Sequence, residues 1–106
     1  MKKEWIKNLS ELAINENRKS VLSIMSAGLD AINTQVVVAN AVNLSENILT
    51  INNQNFDLTK FKRIKVVGFG KDSCDAAVAL EKIFGKKIEE GVVIGLERAI
   101  CEHIES

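Results

Sequence analysis

Apolar positions along the chain recur with periods that change from segment to segment, and those periods predict its elements. Trp5, Ile6, Leu9, Leu12 and Ala13 form one stripe of a first helix, which Asn15 and Asn17 interrupt. Val21, Met25, Gly28, Leu29 and Ile32 then recur at helical spacing, predicting a second helix from about Arg18 to Ile32, separate from the first or continuous with it. Both read as amphipathic covering helices whose stripes face a core. Thr34 to Val42 is ambiguous. Val36, Val37 and Val38 favour a strand, whereas Ala39, Ala41 and Val42 extend the apolar pattern without alternation, as a short buried helix would. Two strand-like runs, Ile48-Leu49-Thr50-Ile51 and Phe56-Asp57-Leu58, flank Asn52-Asn53-Gln54-Asn55 and predict a β-hairpin, because asparagine tolerates left-handed turn conformations.

The rest is organised around Arg63-Ile64-Lys65-Val66-Val67-Gly68-Phe69-Gly70-Lys71. Ile64, Val66 and Val67 are β-branched and suit a strand of a parallel sheet. Gly68 and Gly70 allow a sharp turn at its carboxyl end. From Lys71 to Phe84 no Gly or Pro occurs, and Ala76, Leu80, Ile83 and Phe84 share one helical face. Gly85 supplies the stop, with Lys82, Lys86 and Lys87 at the negative end of the helix dipole. Gly91-Val92-Val93-Ile94-Gly95-Leu96 is a second strand, completing a β-α-β unit of right-handed sense. Glu97 to Glu105, with Ala99, Ile100 and Ile104, is compatible with a final short helix.

A chain of 106 residues, 46% hydrophobic and 26% charged, is expected to form one small globular domain, 1–106. Its 14 basic and 14 acidic residues balance, which argues against nucleic acid or an anionic membrane as partner. The cluster Lys60, Lys62, Arg63 and Lys65 around Phe61 lacks a stacking platform and reads as a solvated connector. No run reaches the length of a membrane span, and the N-terminus lacks the apolar core of a signal peptide. Cys74 and Cys101 are too few for a disulfide framework, so a cytoplasmic location is expected. The strands are also too few to close a doubly wound sheet. The expectation is a piece of something larger, a protomer that completes its sheet with a partner, or a marginally stable remnant.

Candidate chemistry centres on the Gly-Lys turn. Gly68-x-Gly70-Lys71 lacks the third glycine of a dinucleotide fingerprint and the spacing of a Walker loop, so a plain tight turn with an exposed lysine stands beside a ligand site. Amides at a helix N-terminus hold a phosphate or carboxylate, and Lys71 would add a point charge. Gly68, Gly70, Lys71 and Ser73 are therefore the candidate binding residues. Asp72 is expected to cap the helix, with Ser73 as the alternative cap. Its charge would compete with an anion for the same positive potential. Cys74 reads as a small buried residue rather than a nucleophile. Cys101-Glu102-His103 is a poor metal motif for want of a second ligand cluster, so no metal site is expected, and a lone histidine near a chain end is expected to be exposed.

The order of two helices, a short apolar segment, an Asn-rich hairpin ending in Phe56-Asp57-Leu58, and then Arg63 to Lys71 resembles the N-terminal portion of the bacterial and archaeal glycerate 2-kinases of the MOFRL-associated class. In that family a Tyr/Phe-Asp-Leu stretch leads into a strand ending in Gly-x-Gly-Lys-Ala, followed by a helix of small residues and a Leu-Gly…Gly-Val-Val-Val segment. Ile83-Phe84-Gly85 through Gly91-Val92-Val93-Ile94 tracks the last of these. The resemblance runs from about the second helix to Ile94 and covers roughly the first quarter of a family member. It implies an α/β fold, a partial Rossmann-like three-layer unit with N-terminal helices, a β-hairpin and one βαβ crossover.

It also implies ATP-dependent phosphorylation of glycerate, or a related small hydroxy acid, at the 2-hydroxyl, with magnesium, and maps the active-site lysine onto Lys71. Such catalysis is mostly positioning and electrostatics. This sequence departs from the pattern at Asp72, where the family has alanine, and at Ala76, where it usually has methionine. Gly95-Leu96-Glu97 lacks the lysine often found after this strand, and the later His-Pro-x-Pro and Ser/Gly-rich segments are missing. The resemblance thus implies a truncated or split-off module, not competent alone and binding neither ATP nor Mg2+ tightly, with the remainder of the kinase or self-association completing the sheet. The rival reading is a non-catalytic binding or assembly module. A dinucleotide oxidoreductase is more distant, since Glu97 is near the place of the needed acid but the third glycine is absent.

Overall fold

The computed structural model describes residues 4–106. The chain divides into two compact units, Met1–Asn33 and Thr34–Ser106.

The first unit contains α1, Leu9–Leu12, and α2, Glu16–Ala31. Asn15 separates them. Its backbone is extended, and its side chain accepts from the Arg18 amide at 2.9 Å, so it caps α2 and rules out one continuous helix. The first helix is correspondingly reduced to a single turn, and Trp5 lies outside it, donating from Nε1 to Asp30 at 2.8 Å.

The second unit opens with α3, Thr34–Ala41, which settles the ambiguous valine run as a helix. Local β propensity yields there to packing, because α3 lies along the crossover helix. Next come β1, Val42–Ser45, β2, Ile48–Ile51, and β3, Gln54–Asp57, an antiparallel meander in that order. The hairpin expected from sequence is the β2–β3 pair. Its turn is Asn52-Asn53 alone, with φ of 50° and 63°, the left-handed pair that matches the strand twist. β1 is an addition: a further left-handed residue, Glu46 with φ of 55°, reverses the chain before β2.

The parallel sheet consists of β4, Ile64–Phe69, β5, Ile88–Ile94, and β6, Ile104–Glu105, in the order β4-β5-β6. β4 and β5 are joined through α4, Ser73–Phe84. The C-terminal segment is therefore not the helix that sequence suggested. Ile104, 3% exposed, seats beside Gly91 as a strand residue, while Glu81 of α4 accepts the amides of Glu102 and His103 at 2.5 and 2.9 Å. Those two amides are thereby withdrawn from any helical ladder.

α4 is the middle layer. Cys74, Ala77, Ile88, Val93 and Ile104 form the buried cluster between it and the parallel sheet, with Val66, Phe84, Ala99 and Cys101 packed around them. α3 and β1 pack on α4 as well. The stripe Ala76, Leu80, Ile83 and Phe84 is only half-buried, and the fully buried positions of α4 are Cys74, Ala77 and Ala79, because a helix packed on two partners buries more than one face. Small residues at 76, 77 and 79 permit the close approach.

Candidate functional site

The turn between β4 and α4 lies at the carboxyl end of the parallel strands, where open α/β sheets place ligands. Three glycines shape it. Gly68 pairs with Val93, and a Cβ there would come within 3.1 Å of the Val93 side chain and 3.6 Å of Ser73 Cβ. Gly70 has φ of 113°, a conformation that side chains other than glycine's seldom accept, and its amide donates to the Ile94 carbonyl at 3.0 Å. Gly95 was missed in the sequence reading. A Cβ on it would stand 2.6 Å from Cys74 Sγ, 3.1 Å from Ser73 Oγ and 3.2 Å from the Gly70 carbonyl. A glycine just after the second strand of the crossover was the available signal.

Ser73 fastens the turn. Its hydroxyl lies 2.7 Å from the Gly70 carbonyl and 3.0 Å from the Ile94 carbonyl, sharing one proton between them, and its amide also donates to Gly70 at 3.2 Å. Asp72 occupies the position preceding α4, but its side chain makes no capping bond; its carbonyl accepts from Ala76 at 3.1 Å. The capping expected of Asp72, or of Ser73 in its stead, is thus replaced by a lock in which Ser73 serves as donor. Lys71 is exposed, and among the described residues it forms no ion pair. The structure therefore gathers Gly68, Gly70, Lys71 and Ser73 at one strand end, with Lys71 and Asp72 facing solvent.

Cys74 is buried, and its thiol donates to the Glu97 carbonyl at 2.7 Å, in keeping with a packing role. Cys101, Glu102 and His103 form a clasp on α4. For the Glu81 carboxyl, burial works upward, but the Glu102 and His103 amides, His103 and the Cys101 thiol outweigh it and hold the group below its ordinary value. Burial, then the Glu81 charge, pushes the Cys101 thiol up. His103 is half-buried rather than exposed, since its backbone is held by Glu81. No group of three or more His, Cys, Asp or Glu side chains is placed to hold a metal among the described residues. Among the described residues the donor set thus does not fit a magnesium site.

The Phe56-Asp57-Leu58 segment also has a physical role. Asp57 accepts the Thr59 hydroxyl at 2.6 Å and amide at 3.0 Å, capping a single 3-10 turn, Leu58–Lys60. These bonds lower its carboxyl from the ordinary value. The Leu58 amide donates to Asn47, tying the turn to the meander at 2.7 Å.

Helices, a meander and a parallel sheet crossing over a Gly-Lys turn define an α/β protein with a partial Rossmann-like unit. The chain belongs to the family described as "Domain of unknown function (DUF4147)", which matches residues 20–105 and is associated with glycerate kinase-like proteins. Among solved structures it is similar to the PH0495 protein from Pyrococcus horikoshii OT3, with a TM-score of 0.71 and 22% identity over 86% of this chain. The chain spans 20% of that protein's length. No curated protein matches it. No single helix among the described residues is long and apolar enough to cross a membrane.

Proposed function

We propose that this chain is the anion-holding N-terminal portion of a glycerate 2-kinase-like enzyme, in which Lys71 neutralises the substrate carboxylate or the charge on the transferring phosphoryl group. The supporting observation is the exposed Lys71 on a rigid Gly68-x-Gly70 turn at the carboxyl end of β4, in a chain of a family associated with glycerate kinase-like proteins. In the reaction proposed, the glycerate 2-hydroxyl oxygen forms a bond to the γ-phosphorus of ATP, the bond to ADP breaks, and the hydroxyl proton passes to a base. Lys71 is the catalytic residue in this reading; Gly68 and Gly70 let the backbone approach an anion, and Ser73 keeps the turn in shape. In this reading nucleotide and magnesium are held by segments beyond this unit, whose described residues include no ligand cluster for a metal.

The test is complementation. The chain is mixed with the separately expressed remainder of a full-length family member, and ATP-dependent phosphate incorporation into glycerate is measured. Activity that needs both pieces, and that falls at least a hundredfold with Lys71→Ala, supports the proposal. Activity unaffected by Lys71→Ala refutes the role of the lysine. One observation favours a second reading, a non-catalytic binding or assembly module: the Gly70 amide and the Ser73 hydroxyl are already bonded inside the turn. Self-association with no response to glycerate or ATP supports that alternative.

A further inference from the structure

Six of the chain's 14 basic residues lie at the amino end of the parallel sheet, away from the Gly-Lys turn. Lys60, Lys62 and Arg63 lead into β4, Lys82 stands in the last turn of α4, and Lys86 and Lys87 belong to the 3-10 turn, Gly85–Lys87, that enters β5. In the chain these are two separate groups, and the crossover unites them. Ile64 pairs with Ile88, so Arg63 and Lys87 enter adjacent strands, which lie about 4.8 Å apart. Asn47 ties the two groups from a third element: its carbonyl accepts from the Leu58 amide at 2.7 Å, and its side chain accepts from Lys87 at 3.1 Å.

All six residues are exposed, and none forms an ion pair among the described residues. Lys82 and Lys87 donate to the neutral side chains of Gln35 and Asn47, which leaves their charge uncompensated. Neighbouring carboxylates are engaged elsewhere: Asp57 with Thr59, Glu81 with the Glu102 and His103 amides, and Glu90 with Lys65, on which Glu89 also acts. The negative end of the α4 dipole favours Lys82, Lys86 and Lys87. It does not account for Lys60, Lys62 and Arg63, whose charge beside Lys87 is repulsive in the folded chain. Phe61, in the middle of that connector, is 56% exposed.

We propose that this end of the sheet binds a short acidic segment of a separate polypeptide, several Asp or Glu residues with an apolar side chain seated against Phe61. Charge selects an anionic partner, and the overall balance of the chain selects a short one. Because the 14 basic and 14 acidic residues cancel, gathering six cations here leaves an acidic surplus on the rest of the molecule. A long polyanion or a charged bilayer would meet that surplus, whereas a short segment stays within the basic end. One exposed ring among these cations is also no row of stacking platforms for successive bases. The cations are spread over the ends of two strands and a helix, so they suit several carboxylates in sequence rather than one small anion. The inference is independent of the chemistry proposed for Lys71, at the other end of β4.

The test uses the full chain and two fluorescent ten-residue peptides, one with four Glu around a central Leu and one with Gln in place of each Glu, with binding followed by anisotropy. The expected result is saturable binding of the Glu peptide, weakened by added salt, and at least tenfold weaker binding of the Gln peptide. The double variant K62E/K86E, at two exposed positions, should weaken the Glu peptide at least tenfold with an unchanged circular dichroism spectrum. K60E/R63E repeats the test from the connector alone should K62E/K86E fail to fold. Equal binding of both peptides overturns the proposal. Binding of the Glu peptide that survives both double variants also overturns it, because the contact then lies elsewhere, such as the Gly-Lys turn. So does tighter binding of a twenty-nucleotide single-stranded DNA, or of phosphatidylserine-containing vesicles, than of the Glu peptide, since a nucleic acid or a bilayer is then the partner.

Discussion

Single residues at the Gly-Lys turn act through space rather than through bonding. Gly95 leaves room for Cys74 and Ser73, neither of which can retreat without opening α4 from the sheet. Gly95→Ala is therefore expected to destabilise the fold by about 1–3 kcal/mol, as overpacking does, measured by urea unfolding. Gly70→Ala should cost a similar 1–3 kcal/mol for a different reason, the left-handed backbone. Lys71→Ala should leave the unfolding midpoint within experimental error, because the side chain is exposed and makes no ion pair in the described residues. A large loss of stability in Lys71→Ala would show a structural role for it. Sequence made Gly68, Gly70 and Lys71 visible by their spacing. It hid Gly95 and the Ser73 lock, because both depend on a strand more than twenty residues away in the chain, with Ser73 Oγ 3.0 Å from the Ile94 carbonyl.

At the scale of elements, the strand-turn-helix-strand order was legible because β4 and α4 have unmixed periods, and so was the Asn52-Asn53 hairpin, because its turn chemistry is local. Where tertiary contacts decide, sequence left the outcome open or misled: Thr34 to Val42 suited a strand or a short helix until packing against α4 selected α3, and Ala99, Ile100 and Ile104 mimic a helix although Ile104 completes β6. The Glu81 clasp that holds β6 in place gives this element a pH dependence. Glu81 has a folded-state pKa below its ordinary 4.5, so it contributes stability that is fully present above that value and is lost as pH falls through the lowered one. The amide signals of Glu102 and His103 should therefore broaden or shift reversibly on acidification below about pH 4.5, and E81Q should abolish that step. An unchanged step in E81Q would place its origin elsewhere, such as the Asp57 cap, whose carboxyl is also lowered.

For the whole molecule, the two faces of the parallel sheet and the Gly-Lys turn at its carboxyl end are the features that the proposed function uses. Its parallel sheet has one face sealed by α4 and one face open, and the proposed anion site lies on the Gly-Lys turn. The open face lies on the parallel-sheet side of α4, whereas α3 packs on its other side. The most direct test of the proposed anion site is an amide NMR titration of the isolated chain, first with glycerate and then with Mg-ATP, comparing wild type with Lys71→Ala. The account expects saturable shifts confined to Gly68 through Asp75 and lost in the variant. A well-dispersed spectrum that responds to neither ligand, or shifts that persist in Lys71→Ala, would contradict it.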